Sequence, residues 1–262
     1  MGVFEALYLG IVQGLTEFLP VSSSGHLEIF SHIFGVKSEE NLTFAITVHG
    51  GTVLSTIVIF RHELLKLITG FFKFKKNEEQ DYIFKILVSL IPIVLIGLTL
   101  KDKIEALFGG SLLIVGCALL ITAALLFFTY KAKPKTGGIT YKDAFIIGIA
   151  QAFAVLPGLS RSGSTISTGL LLGVKREEVS KFSFLMVLIP IIGMNLLDIV
   201  KGEFSESTIG ALPLIVGFLS SFIAGLFACK AMIKLVNSGK FIWFAVYCAV
   251  AGLAVISYSL FI

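Results

Sequence analysis

Charged residues are scarce in this chain: Asp, Glu, Lys and Arg make up 15% of its 262 residues, against 56% hydrophobic. Apolar runs recur along the whole length and leave no stretch for a soluble domain, which places the chain among polytopic all-α membrane proteins. A basic leader is also lacking. The first segment carries Glu5, Gln13 and Glu17, so it reads as mature structure and not as a cleaved signal. Met1-Gly2-Val3-Phe4-Glu5-Ala6 has no Ser or Thr for a myristoylation signal. Cysteine is limited to Cys117, Cys229 and Cys248, each alone in an apolar segment without the spacing of a metal or redox motif. Core packing is expected of all three. The formal charge of +4 comes from loop Lys and Arg, where it reports topology and not affinity for nucleic acid.

Against this background two polar stretches stand out. Gln13-Gly14-Leu15-Thr16-Glu17-Phe18-Leu19-Pro20-Val21-Ser22-Ser23-Ser24-Gly25-His26 combines a carboxamide, a carboxylate, three hydroxyls and an imidazole around a Pro and a Gly. Gln151-Ala152-Phe153-Ala154-Val155-Leu156-Pro157-Gly158-Leu159-Ser160-Arg161-Ser162-Gly163-Ser164-Thr165 repeats the design with one Arg. Polar groups within lipid are costly unless partnered, so both stretches are functional candidates.

The two are copies. At an offset of 138 the chain matches itself at 12 positions between residues 10 and 44, without a gap, including Gln13 with Gln151, Ser22 with Ser160, Ser24 with Ser162 and Gly25 with Gly163. We read a duplication within one membrane domain spanning 1–262, with repeats 1–135 and 136–262. Each repeat divides into five segments, at 3–19, 24–35, 42–61, 83–100 and 111–130, and at 141–156, 163–173, 182–200, 208–229 and 241–261. The last three of each repeat have the length of membrane spans. The first two are short, polar and divided by Pro and Ser, as in re-entrant pairs, whose broken backbone is tolerated only where it lines a cavity or is buried in protein.

The expectation is six transmembrane helices plus four re-entrant helices. Three spans per repeat is an odd number, so the repeats insert with inverted topology. The loops near 61–85, 131–142, 175–181 and 230–240 then share one side and hold 16 Lys or Arg; the other side has only Lys37, Lys101, Lys103 and Lys201. By the positive-inside rule the rich side is cytoplasmic and both termini lie outside. Inverted repeats with broken helices hold their sites near the midplane between repeats, so the two polar stretches should converge.

Arg161 is the one Arg or Lys that belongs to neither set of loops; it lies in the turn of the second re-entrant pair, between 141–156 and 163–173. Its fork of donors suits a phosphate, and the turn Ser160-Arg161-Ser162-Gly163-Ser164-Thr165 would add hydroxyls and helix N-terminal amides. The plainer alternative is a structural ion pair of Arg161 with Glu17. Gln13 and Glu17 lie four apart on one helix face, an oxygen pair suited to a hard cation such as Mg²⁺; Glu17 as a general base is the other reading, and Gln13 as a partner for backbone near Gly14 is the bland one. Ser22, Ser23 and Ser24 precede a helix, where Ser is a common cap. A hydroxyl becomes a nucleophile when an imidazole takes its proton, so Ser23 with His26 is the preferred pair, with His26 itself the other candidate nucleophile. Glu28, His32 and His49 are read as structural or supporting.

Gln13-x-x-x-Glu17 followed by Pro20-Val21-Ser22-Ser23-Ser24-Gly25-His26, and Pro157-Gly158-Leu159-Ser160-Arg161-Ser162-Gly163-Ser164-Thr165, together resemble the two signature regions of the undecaprenyl-diphosphate phosphatases, the bacitracin-resistance family. The resemblance covers the chain's length, duplication and segment order. It implies hydrolysis of undecaprenyl diphosphate to the monophosphate, recycling the carrier for peptidoglycan and other envelope glycans, assisted by a divalent cation, Mg²⁺ or Ca²⁺. Glu17, Ser23, His26 and Arg161 match positions regarded as catalytic. Ser22, Ser24, Ser160, Ser162 and Thr165 match the hydroxyl-rich phosphate pocket, with Gly163 in the same turn and Gln13 where the family admits Glu or Gln. The resemblance also implies interdigitated inverted repeats.

The expected protein is a multi-pass phosphatase of a bacterial-type plasma (inner) membrane, its site open to the outer face. Its partners are a polyprenyl diphosphate and membrane lipids; a homodimer is compatible with this reading. The rival is a polyprenyl-phosphate flippase or transporter using the same anion site, since inverted repeats also serve alternating access. A phosphatase acting on smaller lipid or farnesyl diphosphates is a third reading.

Overall fold

The computed structural model describes residues 1–36, 38–73, 76–105, 111–131, 137–201 and 209–261. Every named element among them is an α-helix, twelve in all. In chain order they are α1 (Val3–Phe18), α2 (Ser23–Phe34), α3 (Ser38–Ile59), α4 (Arg61–Phe71), α5 (Glu78–Glu105), α6 (Leu112–Lys131), α7 (Tyr141–Phe153), α8 (Arg161–Leu172), α9 (Arg176–Met186), α10 (Leu188–Lys201), α11 (Ala211–Ser238) and α12 (Ile242–Phe261).

Four of these are long and apolar enough to cross a membrane: Glu78–Thr99, Leu112–Tyr130, Ala211–Ser238 and Ile242–Phe261. A fifth arises only if Thr43–Ile59 and Arg61–Phe71, bent by 76°, count as one broken span. Of the six transmembrane helices expected, four are thus met by single long apolar helices among the described residues. The segment expected at 182–200 divides at Val187 into α9 and α10. Pro190 supplies the reason, because it has no N–H for the carbonyl of Met186, four residues back, and its ring crowds that oxygen. The stretch 61–85, expected as a loop, contains α4 and the start of α5, and α11 runs on into the basic stretch at 230–240. Lys37, and the side chains of Lys101, Lys103 and Lys201 that figured in the charge argument, lie outside the described residues.

The helices approach closely through small residues, the usual device where apolar burial gives no net drive between helices in lipid. A methyl on Gly14 of α1 would lie 2.5 Å from the Ser221 carbonyl of α11, and one on Gly51 of α3 would lie 2.6 Å from the Phe218 carbonyl. α11 is thus wedged against both α1 and α3. Between α6 and α12, Gly116 and Gly252 face each other, with a methyl on Gly116 3.0 Å from the Gly252 carbonyl. Cys229 and Cys248 are buried as expected, whereas Cys117 is exposed. Cys117 is on α6 with its side chain turned outward from the packed face that holds Val115, Ala118 and Leu119.

The helices that open from the two polar stretches share their bounds. α2 and α8 are each 12 residues long and begin and end 138 positions apart. Ser22 and Ser160 cap them, accepting from the N–H of Gly25 and Gly163 at 3.2 and 3.0 Å, and Gly35 and Gly173 close them in the left-handed conformation.

Candidate active site

The site starts from the periodicity of α1. That helix buries Ala6, Leu9, Gly10, Gln13, Gly14, Glu17 and Phe18, a single face that carries both polar residues inward. It ends because Leu19 precedes a proline and takes an extended conformation, with φ −70° and ψ 145°. The chain then reverses through Ser22, at φ 69° the one positive-φ residue other than glycine among the described residues. This turn faces the α7–α8 turn. Ser162 Oγ donates to the Leu19 carbonyl at 3.2 Å, and a methyl on Gly25 would lie 3.0 Å from Gly158 Cα. The two polar stretches meet, as the duplication argument anticipates.

Glu17 is the hub. Arg161 Nη2 donates to its Oε1 in a buried ion pair. On Oε2 it accepts from Ser23 Oγ at 2.5 Å and from Gln13 Nε2 at 3.0 Å, with His49 Nε2 of α3 3.5 Å away. The ion pair weighed as the plain alternative for Arg161 is therefore present, but it uses only part of the guanidinium. Nε and Nη1 of Arg161 are buried, and within the described residues neither has a hydrogen-bond partner. Two such donors are costly to leave unmade, and they present two N–H directions to an incoming anion.

Ser23 and His26 are not paired with each other. Ser23 is turned to Glu17, while the imidazole of His26 is held by two other groups. Its Nδ1 bonds the Ser22 carbonyl at 2.7 Å and its Nε2 bonds Tyr247 Oη at 2.6 Å. A carbonyl only accepts, so Nδ1 carries the proton and, in the neutral ring, Tyr247 donates to Nε2. Tyr247 lies in α12, 221 residues away, and only its position as a phenol inside an apolar span could have flagged it.

The hydroxyls expected to line a phosphate pocket are largely occupied. Ser22 and Ser160 are caps; Ser24 lies 3.4 Å from Ser22 and Ser162 lies 3.4 Å from Ser160, oxygen to oxygen. Thr165 Oγ1 donates to the Arg161 carbonyl at 2.9 Å and meets Ser183 Oγ at 2.6 Å. Gly163 gives its N–H to Ser160 and comes within 3.4 Å of Pro20 Cβ through an added methyl. His49 belongs to the site more directly than its sequence context implied, while His32 packs edge-on against Tyr258.

Gln13 Oε1 is buried without a partner among the described residues; the amide turns its Nε2 to Glu17, both of whose carboxylate oxygens already accept hydrogen bonds, so this is the one hard oxygen left free between the two side chains. Among the described residues no cluster of three or more His, Cys, Asp or Glu could cage a metal. The residues fit a cation that is held partly by the protein and partly by phosphate and water, the habit of Mg²⁺.

Beside Glu17 and Arg161 lies a narrow crevice walled by Phe18, Val53, Phe184, Leu188 and Ile191. It joins the charged pair to an apolar wall built partly on the α9–α10 break.

Residues 6–254 match the family described as Bacitracin resistance protein BacA. A protein of Parabacteroides distasonis named undecaprenyl-diphosphatase is 57% identical over 264 residues, covering 99% of both chains. One of the same name from Bacteroides thetaiotaomicron is 57% identical over 260 residues, covering 98% of each. Another from Christiangramia forsetii is 49% identical over 261 residues, covering 99% of each.

Proposed function

The chain belongs to the bacitracin resistance protein family, and from that premise we propose that it is a membrane enzyme hydrolysing undecaprenyl diphosphate to the monophosphate and inorganic phosphate. This recycles a lipid carrier for cell-wall synthesis and confers bacitracin resistance. The observation that carries the assignment to this site is the Arg161 guanidinium, buried with two donors unspent beside an activated serine.

In this reading the free Nε and Nη1 donors of Arg161, which point along different edges of the guanidinium, meet separate oxygens of the diphosphate, with the Ser160–Thr165 turn behind them. Phosphoryl transfer is mostly positioning and charge stabilisation. Ser23 attacks the terminal phosphorus and passes its proton to Glu17 Oε2; the bond from phosphorus to the bridging oxygen breaks, and the lipid monophosphate leaves. Water then cleaves the phosphoserine: its oxygen bonds phosphorus as the bond to Ser23 Oγ breaks, Glu17 returns its proton to Ser23 Oγ, and the water's proton reaches His26 Nε2 through the Tyr247 hydroxyl bonded to it. Glu17 thus takes the role of proton acceptor for Ser23 that the spacing alone assigned to His26. Glu17 and Gln13 Oε1 are the residues that would hold Mg²⁺ or Ca²⁺, which would supply charge neutralisation on the diphosphate. The first prenyl unit lies along the Phe18, Val53 and Phe184 wall.

We further read the halves 1–135 and 136–262 as inverted repeats whose α1–α2 and α7–α8 pairs are re-entrant, with both termini and the site's mouth outside. A carrier would use the same anion site but has no use for a hydroxyl hydrogen-bonded to a carboxylate. The test is phosphate release from undecaprenyl diphosphate by the purified protein, with and without chelator, for wild type, Arg161→Ala and Ser23→Ala. Release abolished by both substitutions is the expected result. A folded wild type that binds the lipid through Arg161 and releases no phosphate overturns the assignment.

A further inference from the structure

α12 holds the α1–α2 turn at two points. Cys248 Sγ reaches the Pro20 carbonyl at 3.6 Å, and its neighbour Tyr247 reaches His26 Nε2 at 2.6 Å. The two rings are nearly parallel, 13° apart with centroids separated by 5.7 Å. His26 is buried, yet Tyr247 is 47% exposed, so the phenol is not simply filling core. Its ring stands between His26 and the outside of the helix bundle, with the hydroxyl directed inward.

We propose that Tyr247 is the positioning residue for His26: its hydroxyl holds the imidazole through Nε2 and fixes the ring's orientation, while the Ser22 carbonyl sets its tautomer. This rests on the phosphatase reading above. The logic is that of an oriented histidine, in which the bond at one nitrogen sets the state of the other. Here both nitrogens are constrained. The Ser22 carbonyl can only accept and commits Nδ1 to its proton. A phenol can both donate and accept, so Tyr247 donates to neutral Nε2 and, after rotation of its O–H, accepts from Nε2–H once His26 has taken a proton. The ring stays in place through both states.

Tyr247→Phe removes one oxygen and keeps the ring. We expect kcat for phosphate release to fall about tenfold, the worth of one such bond, with KM within about twofold of wild type because the diphosphate contacts are untouched. In His26→Gln the same Tyr247→Phe change should have no further effect. A wild-type kcat for Tyr247→Phe, or an undiminished loss on top of His26→Gln, overturns the proposal.

A second measurement does not need an active variant. In wild-type protein labelled with ¹⁵N-histidine, one of the four imidazoles should show protonated Nδ1 and hydrogen-bonded, unprotonated Nε2. The opposite tautomer at His26, assigned by its loss in His26→Gln, overturns the geometry. If wild type releases no phosphate, the function fails while loss of the Nε2 hydrogen-bond shift in Tyr247→Phe still decides whether Tyr247 holds His26.

Discussion

Arg161 and Glu17 lie 144 residues apart in sequence and form one buried ion pair between two turns. Such a pair does little net work for stability, since both charges have left water, but removing one partner strands the other. Arg161→Ala should therefore destabilise the protein by about 3–5 kcal/mol as well as abolish activity. Arg161→Ala with Glu17→Gln should recover most of the melting temperature in detergent and none of the phosphate release. Recovery of activity in the double variant would show that the pair is only structural.

Ser23→Ala removes the hydroxyl that Glu17 accepts from at 2.5 Å, and phosphate release should fall by about 10² or more. The cap of α2 is Ser22 and not Ser23, so the melting temperature should hold. Ser22→Ala should do the reverse, costing about 1 kcal/mol of stability with a smaller loss of rate.

Gln13→Glu places a second carboxylate one turn from Glu17. Divalent cation should then bind more tightly, read directly as Mn²⁺ bound by paramagnetic resonance in the absence of lipid, and Gln13→Ala should bind less than wild type. Equal Mn²⁺ binding in all three proteins would remove Gln13 and its free Oε1 from any metal role.

Gly158 sits at φ 90°, and a methyl there would meet the Val115 carbonyl at 2.6 Å and Val115 Cα at 2.7 Å. Gly158→Ala should cost at least the 1–2 kcal/mol of a left-handed alanine and shift the α7–α8 turn. Melting temperature and the KM for lipid diphosphate should both change. A KM equal to wild type would mean that the turn's seat on α6 does not set the position of Arg161.

The meeting of the two turns was legible in the sequence because a 138-residue repeat carries polar residues in register, and the caps Ser22 and Ser160 follow that register in space. The inward aim of Gln13 and Glu17 followed from helical spacing alone. What the sequence hid has local causes. The partner of His26 is set by its fold-back to the Ser22 carbonyl, a matter of side-chain direction that spacing leaves undetermined. The break at Val187 depends on Pro190 acting on a carbonyl four residues earlier, inside what hydropathy reads as one apolar run. Tyr247 and Thr122 stand among apolar neighbours in their helices, and only tertiary contact gives them a role.

Thr122 is the counterpart of Tyr247 in this respect. Its Oγ1 accepts from the Ser160 N–H at 3.0 Å, so α6, from the first half of the chain, steadies the turn that carries Arg161, while α12, from the second half, steadies the turn that carries His26. During synthesis the serine turn emerges early, but its brace, α12, is made after the eleven other described helices. Activity should consequently switch on only when α12 has entered the membrane. Nascent chains halted after α11 should hold an incomplete site, a safeguard against hydrolysis by half-inserted protein.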